Sequence, residues 1–135
     1  MKVPPAEVSF MQTFVCWSGD PRGVLNEMAL KHIRDLIGDL EATSDEPFNR
    51  FTDSQALEAI DLNFRYVFDF ALFRRLSYAG RPPVKSAILV SSLALAHYSK
   101  LHEVLTRGSS IKVRIFEQRD VTAQWLDVPV ELLKL

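Results

Sequence analysis

The alternation of apolar, strand-like runs with helix-length segments is the feature that most constrains the fold of this chain. Residues 84–90 form an apolar run between two prolines and two serines, and residues 93–107 then keep helical spacing up to Gly108. Residues 111–116 alternate apolar with basic side chains, which is typical of a strand with one polar face. Strands joined by a helix pair in parallel, because the connection must cross over the sheet. We therefore predict a strand–helix–strand unit whose last strand lies towards a sheet edge.

The N-terminal half continues this order. Residues 8–17 are rich in β-branched and aromatic residues, which predicts a strand, and Asp20 and Pro21 then indicate a helix start. Over about five turns, apolar residues recur three and four positions apart, and the repeating positions are Leu25, Met28, Ala29, His32, Ile33, Leu36, Ile37 and Leu40.

The remaining segments complete the predicted order. Residues 48–52 resemble a short strand, residues 63–78 a helix, and the AQWL segment near the C-terminus a last helix. We predict an α/β fold with a four- to five-stranded, mostly parallel sheet and helices. Whether the first strand pairs antiparallel is left open by the sequence.

Length and charge set the broad class. A chain of 135 residues is expected to form a single domain over residues 1–135, with residues 127–135 as a tail that packs on its own chain or on a neighbour. The net charge of -1 provides no field that would attract nucleic acid. The lone Cys16 cannot form an internal disulfide, and no apolar run approaches the ~20 residues of a membrane helix. We expect a cytoplasmic protein with no membrane span and no nucleic-acid partner.

The histidines do not predict a metal centre or an enzyme. His32, His97 and His102 are not spaced as metal ligands, and the sequence has neither a glycine-rich phosphate loop nor a recognisable nucleophile motif. His32 falls on the apolar stripe of the first predicted helix and is expected to be partly buried. We predict no catalytic residue, no metal and no cofactor.

Several segments resemble a known family. The stretches VKSAILVSS and IKVRIFEQRDVTAQWL, together with CWSG and RFTD nearer the N-terminus, are similar to the bacterial SpoIIAA-like domains, which are relatives of the STAS fold. The resemblance covers the chain from about residue 8 to residue 126. It implies a single STAS-like domain that binds rather than catalyses, with Trp125 packed beside Phe116.

The resemblance also implies where a regulatory phosphoserine would lie. Asp53 matches the first Asp of the family pattern, and residues 60–63 match the box that carries the phosphorylated serine in anti-sigma-factor antagonists. Leu62 occupies the serine position, and Asp61 is expected to cap the following helix. Ser54 falls in an earlier turn, where serine commonly bonds to nearby backbone groups. We therefore expect no phosphoserine switch.

Two groups of polar residues are candidate ligand contacts. Ser91 and Ser92 follow a central strand and precede a helix, where α/β sheets collect ligands and free amides favour anions. An ordinary serine cap is the alternative for this pair. A basic group near the end of helix 63–78 either complements the helix dipole or meets an acidic partner or lipid headgroup, and its members are Arg74, Arg75, Arg81 and Lys85.

The helix at residues 63–78 is predicted to have two apolar faces. At ~100° per residue, the sheet-facing side carries Phe64, Val67, Phe68 and Ala71. The opposite side, predicted to be exposed, carries Tyr66, Phe70 and Phe73. Exposed aromatic residues are enriched in interfaces, so a homodimer through these three residues is predicted. The alternative is that residues 41–48 or the C-terminal tail cover them.

Together these features predict a non-catalytic STAS-like protein. Its expected role is that of a regulatory or protein-interaction module, without the phosphoserine switch and with a protein partner of unknown identity. The alternative is a carrier of a small apolar or lipid ligand, because related folds of the CRAL-TRIO type enclose such molecules.

Overall fold

The computed structural model describes residues 10–12, 16–19, 22–44 and 47–133, with side chains from residue 22 onward. In chain order its elements are β1 (Phe10–Gln12), β2 (Cys16–Gly19), β3 (Gly23–Asn26), α1 (Glu27–Thr43), β4 (Asn49–Asp53), β5 (Leu57–Asp61), α2 (Phe64–Ser77), β6 (Val84–Leu89), α3 (Leu93–Leu105), β7 (Ile111–Phe116), α4 (Arg119–Leu126) and a 3₁₀ turn (Val130–Leu133).

The larger of the two sheets confirms the predicted α/β class. It has five strands in the order β1-β2-β4-β6-β7, and every neighbouring pair except β1 and β2 is parallel. The first strand is antiparallel to the second, which answers the question that the sequence left open. Strand β7 occupies one edge, as its alternating polar face predicted.

A second sheet, made of β3 and β5 in parallel, was not predicted. The helix start assigned to Asp20 and Pro21 is wrong, although those two residues lie outside the described part of the chain. Helix α1 begins after Asn26, whose side-chain oxygen accepts a hydrogen bond from the Ala29 amide at 2.8 Å. Gly23 has a φ of +85°, a left-handed conformation that the interior of a helix does not allow. The segment before Asn26 is therefore a strand.

The start of α2 also differs from the prediction. Asp61 is the last residue of β5 and does not cap the helix. The cap is Asn63, whose Oδ1 accepts from the Tyr66 amide at 2.8 Å. Both residue types favour caps, and the pairing of β5 with β3 extends the strand through Asp61.

The faces of α2 are rotated relative to the prediction. Val67 and Ala71 are buried as expected, but Phe70, predicted to be exposed, is only 6% exposed. Phe64 and Phe68, predicted to be buried, are 59% and 40% exposed. The reason is that Phe70 packs against α3, with its ring centroid 5.6 Å from that of His102. Of the predicted exposed aromatic residues Phe73 is exposed and Tyr66 is partly buried, and the homodimer stays a prediction.

The main sheet separates two layers of helices. Helix α4 and the 3₁₀ turn cover its outer face, where Phe51, Ala87 and Leu89 form one apolar cluster with buried residues of α4. Trp125 packs beside Phe116 there as predicted, with ring centroids 5.5 Å apart. Leu133 is buried in the same cluster, so this part of the predicted tail packs on its own chain. Helices α1, α2 and α3 cover the inner face.

Candidate functional site

A cavity of about 100 Å³ lies between the inner face of the main sheet and helices α1, α2 and α3. We call it the inner cavity. Aliphatic side chains form most of its wall, among them Ile33 and Ile37 of α1, Val67 of α2 and Leu95 of α3. A space with such a wall favours an apolar molecule or part of one.

The inner cavity exists partly because the central strands carry small polar residues on this face. Side chains alternate between the two faces of a strand, so Thr52 and Ser86 lie on the inner face next to Phe51 and Ala87 of the outer face. Ser86 is buried, as is Ser99 of α3, which also lines the inner cavity. A serine or threonine fills less volume than the aliphatic residues common at such positions, so the inner layer packs less completely.

Arg74 of α2 and His102 of α3 form the polar end of the inner cavity. Arg74 Nη2 and His102 Nε2 are buried and have no hydrogen-bond partner among the described residues. The Phe70 ring contacts both side chains, with its centroid 5.9 Å from Arg74 Cζ and 5.6 Å from the His102 ring. Two strong hydrogen-bonding groups therefore lie at one end of a wall that is mostly aliphatic.

Burial changes the proton affinity of both groups. Burial, with a smaller contribution from the nearby positive charge of Arg74, lowers the pKa of His102 from 6.5 to about 3. The imidazole is therefore neutral at physiological pH. Burial, followed by repulsion from Arg50, lowers the pKa of Arg74 to about 10, so this guanidinium remains charged.

Arg74 also lines an open cleft of about 530 Å³ between α1 and α2. The cleft contains the carboxylate of Glu41, which accepts hydrogen bonds from Tyr78 Oη at 2.5 Å and from Arg50 Nη2 at 3.3 Å. Arg81 Nη1 lies 3.9 Å from the same carboxylate oxygen. The guanidinium of Arg74 thus borders both the polar cleft and the inner cavity.

The serine pair predicted to bind a ligand lies elsewhere. Ser92 caps α3, because its Oγ accepts a hydrogen bond from the Leu95 amide at 3.1 Å. Ser91 is exposed, and neither residue is part of the wall of the inner cavity. Ligand binding by this pair stays a prediction.

Two of the three positions connected with a phosphoserine switch line the inner cavity. Ser54 is buried and lines the inner cavity, and its amide donates to the Leu89 carbonyl at 2.9 Å. Asp53 Oδ2 pairs with Arg119 Nη2 at 2.9 Å. Leu62, at the family's serine position, also lines the inner cavity, and its carbonyl accepts from Tyr98 Oη.

The two remaining histidines and the helices provide no further kind of site in the described part of the chain. His32 is exposed, so its predicted partial burial is wrong, and His97 is exposed as well. In the described part of the chain, no group of three or more His, Cys, Asp or Glu side chains is arranged to hold a metal ion. None of the helices described is both long enough and apolar enough to span a bilayer.

Comparison with known proteins establishes the fold. No family model and no curated protein sequence matches this chain. Among solved structures, an uncharacterized protein of the DUF3478 family from Shewanella loihica PV-4, with a SpoIIAA-like fold, superposes with a TM-score of 0.58. The chain has a SpoIIAA-like fold. The match covers 93% of this chain and 97% of the other at 14% identity, so the likeness concerns the fold and leaves function to the residues of the site.

Sequence reasoning missed the pair that defines the polar end of the site. It assigned Arg74 to the helix terminus and found no role for His102. The available signal was the spacing of Val67, Phe70, Ala71 and Arg74, which recur three and four residues apart and share one helix face. A charged residue that continues an apolar stripe indicates a buried ion.

Proposed function

We propose that this chain is a non-catalytic binding protein that holds a small, largely apolar molecule in the inner cavity. The observation that carries the proposal is the presence of unpaired, buried nitrogens of Arg74 and His102 in a wall that is mostly aliphatic. Leaving a buried polar atom unpaired costs about 1–3 kcal/mol, and a ligand with acceptor atoms at that end removes this cost. The acceptor atoms of the ligand therefore stabilise the complex at the polar end, and its apolar part does so against the aliphatic wall.

The properties of His102 support binding over catalysis. A general base works best when its pKa is close to the working pH. The pKa of His102 is lowered to about 3 by burial and by Arg74, so its imidazole is a weak base at neutral pH. Its neighbour Ser99 therefore lacks an effective base to activate its hydroxyl.

The size of the inner cavity limits the ligand. An apolar cavity of ~150 Å³ in another protein holds benzene, and the inner cavity measures about 100 Å³. We therefore expect a ligand of roughly six non-hydrogen atoms or fewer. A complete membrane lipid exceeds this volume, so the carrier role concerns a small molecule.

The test is a titration of the protein with four-carbon compounds that differ in their polar group. Butyrate, butyramide, 1-butanol and butylamine are added separately, and amide chemical shifts are recorded by two-dimensional NMR. At least one compound is expected to give saturable shifts in β6, α2 and α3. The variant Ser99→Leu fills the inner cavity and should abolish these shifts, whereas Ala94→Leu, at an exposed position of the same helix, should retain them.

Two results contradict the proposal. The absence of saturable binding by all four compounds to the unmodified protein would overturn it without reference to any variant. Equal binding by the unmodified protein and a folded Ser99→Leu would place the ligand outside the inner cavity.

A second candidate function is a protein-interaction module that works as a homodimer through α2. Phe64, Phe68 and Leu76 of α2 are exposed and lie on one side of the helix. The nearby ion pair of Arg65 and Asp69, 3.3 Å apart, is self-complementary: a second copy with α2 antiparallel would present Asp69 to Arg65.

Light scattering at micromolar concentration tests this second function. We expect a dimer mass for the unmodified protein and a monomer mass for Phe68→Asp. Val104→Asp, which changes an exposed apolar residue of α3, is the matched control and should remain a dimer. A monomeric unmodified protein would exclude this contact.

A further inference from the structure

Resting on the binding function proposed above, we infer that the ligand of the inner cavity is a short-chain monocarboxylate whose carboxylate contacts Arg74 and His102. The apolar part of the ligand, up to about three carbons, lies among the aliphatic side chains of α1, α2 and α3. Charge, the presence of two free donors and volume each lead to this class of compound.

The first step is charge. Arg74 brings a positive charge to the wall of the inner cavity, and no Asp or Glu is among the described residues that line it. Glu41 and Tyr78, across the cleft, offset part of this charge, but the Glu41 carboxylate is shared with Arg50, and Arg74 Nη2 keeps no partner among the described residues. A buried charge requires a partner of opposite sign, because desolvation is costly when it is not offset. An anionic group on the ligand supplies that partner, and a cationic group is repelled.

The second step is hydrogen bonding. The guanidinium carries N–H donors and no acceptor, and Nη2 of Arg74 is free of partners among the described residues. Neutral His102 donates one N–H when its buried Nε2 carries the proton. A carboxylate has two acceptor oxygens and can accept from both groups at once. An alcohol or amide offers one oxygen and no charge.

The third step is volume. A phosphate has five non-hydrogen atoms, and its charge of up to two negative units exceeds the single positive charge that Arg74 supplies to the wall. A carboxylate needs three non-hydrogen atoms, and about three more fit the remaining space of a cavity of about 100 Å³. The aliphatic wall is matched by an alkyl chain, which gains about 0.8 kcal/mol for each buried CH₂.

The position of Arg74 also gives the ligand a route. Arg74 and Ile37 line both the inner cavity and the open cleft between α1 and α2. Arg34 and Arg81 are on the wall of that cleft. Asp35, Asp39 and Glu41 line the same cleft, so its charges are balanced, and a ligand that enters from this side reaches the inner cavity past Arg74 and Ile37.

Calorimetric and NMR titrations with the same four compounds test this inference. Butyrate is expected to bind at least tenfold more tightly than butyramide or 1-butanol, a difference of about 1.4 kcal/mol or more. Butylamine is expected not to bind. Butyrate should also raise the pKa of His102 in the complex, because a nearby negative charge favours the protonated imidazole, and this shift is followed by NMR of the ring carbons.

Variants locate the carboxylate. Arg74→Met, which removes the charge and keeps a long side chain, should weaken butyrate binding at least tenfold and leave 1-butanol binding unchanged. Arg107→Met replaces an exposed arginine and is the matched control, expected to bind butyrate normally.

The outcomes separate the inference from the function on which it rests. If none of the four compounds binds, the binding function itself is wrong. If 1-butanol or butyramide binds as tightly as butyrate to the unmodified protein, the inner cavity binds ligands but the carboxylate assignment is wrong. The ligands are compared on the unmodified protein, so this comparison still decides the inference if Arg74→Met does not fold.

Discussion

The two faces of the main sheet are formed by alternate residues of the same strands, and they differ in how completely they are packed. On the outer face, Phe51, Ala87 and Leu89 join the buried residues of α4 and the 3₁₀ turn in an entirely apolar cluster. On the inner face, Thr52 and Ser86 occupy the corresponding positions of the same strands and line a cavity. The outer face is filled by the chain itself, whereas the inner face leaves room for a ligand.

If the proposed binding function holds, the close packing and the ligand site lie on opposite sides of one sheet. Close packing on the outer face maximises the dispersion and hydrophobic terms. The buried polar groups and the open space of the inner face lower these terms. The inner layer still contributes packing of its own, because Ile33, Ile37 and Leu95 belong to a buried apolar cluster beside the inner cavity.

The largest expected effect is on the free energy of unfolding when a side chain of either face is truncated. Phe51→Ala, on the outer face, should lower the free energy of unfolding by about 3–5 kcal/mol, because it leaves a cavity in a filled cluster. Ser86→Ala, on the inner face, should change it by less than ~1 kcal/mol, since the removed hydroxyl borders existing space. Urea denaturation of both variants measures the difference. Similar losses for the two variants would contradict the proposed division.

The next effect depends on pH and comes from His102. Burial and Arg74 hold the pKa of His102 at about 3 in the folded protein, against 6.5 as its ordinary value. Below pH 6.5 the unfolded chain takes up a proton that the folded chain does not, so stability falls as the pH decreases towards 3 and is unaffected above this window. Between pH 7.5 and pH 5 the loss from this residue is about 2 kcal/mol.

Two histidine variants isolate this contribution. His102→Leu should remove the loss, whereas His97→Leu, at an exposed position of the same helix, should retain it. Denaturant titrations at several pH values provide the measurement. An acid-induced loss of stability that is the same in His102→Leu and in the unmodified protein would show that His102 is not buried as a neutral group.

The sequence was sufficient to predict most of the strands and helices of the main sheet and little of the inner cavity. The strands at 84–90 and 111–116 and the helix between them follow from local periodicity, so they were correctly predicted. Strand β5 was missed because it is short and largely exposed, and its pairing with β3 depends on tertiary contacts. Arg74 was assigned to the basic group at the end of its helix because cations there complement the helix dipole.

A smaller effect compares two buried arginines. Arg50 donates to Tyr78 Oη at 2.6 Å and to Glu41 Oε2 at 3.3 Å, whereas Arg74 Nη2 has no partner among the described residues. Arg74→Met should therefore raise the free energy of unfolding of the ligand-free protein by up to about 1 kcal/mol, because the desolvation of this guanidinium is only partly offset by Glu41 and Tyr78. Arg50→Met should lower it, because Glu41 and Tyr78 lose their donor. Destabilisation by Arg74→Met would show that this guanidinium is paired in the folded protein.

The smallest effect concerns Ser54, which the inner face buries beside the cavity. A protein kinase must reach the hydroxyl oxygen of its substrate, and a phosphate at this position would place about two negative charges in a buried apolar setting. We therefore expect Ser54→Ala to change stability by less than ~1 kcal/mol and to leave butyrate binding unchanged. Phosphopeptide mapping of the protein from its native cells should show no phosphate at Ser54. Stoichiometric phosphate there would mean that the inner face opens in the cell, and that a switch operates at a position different from the one that the SpoIIAA-like pattern indicates.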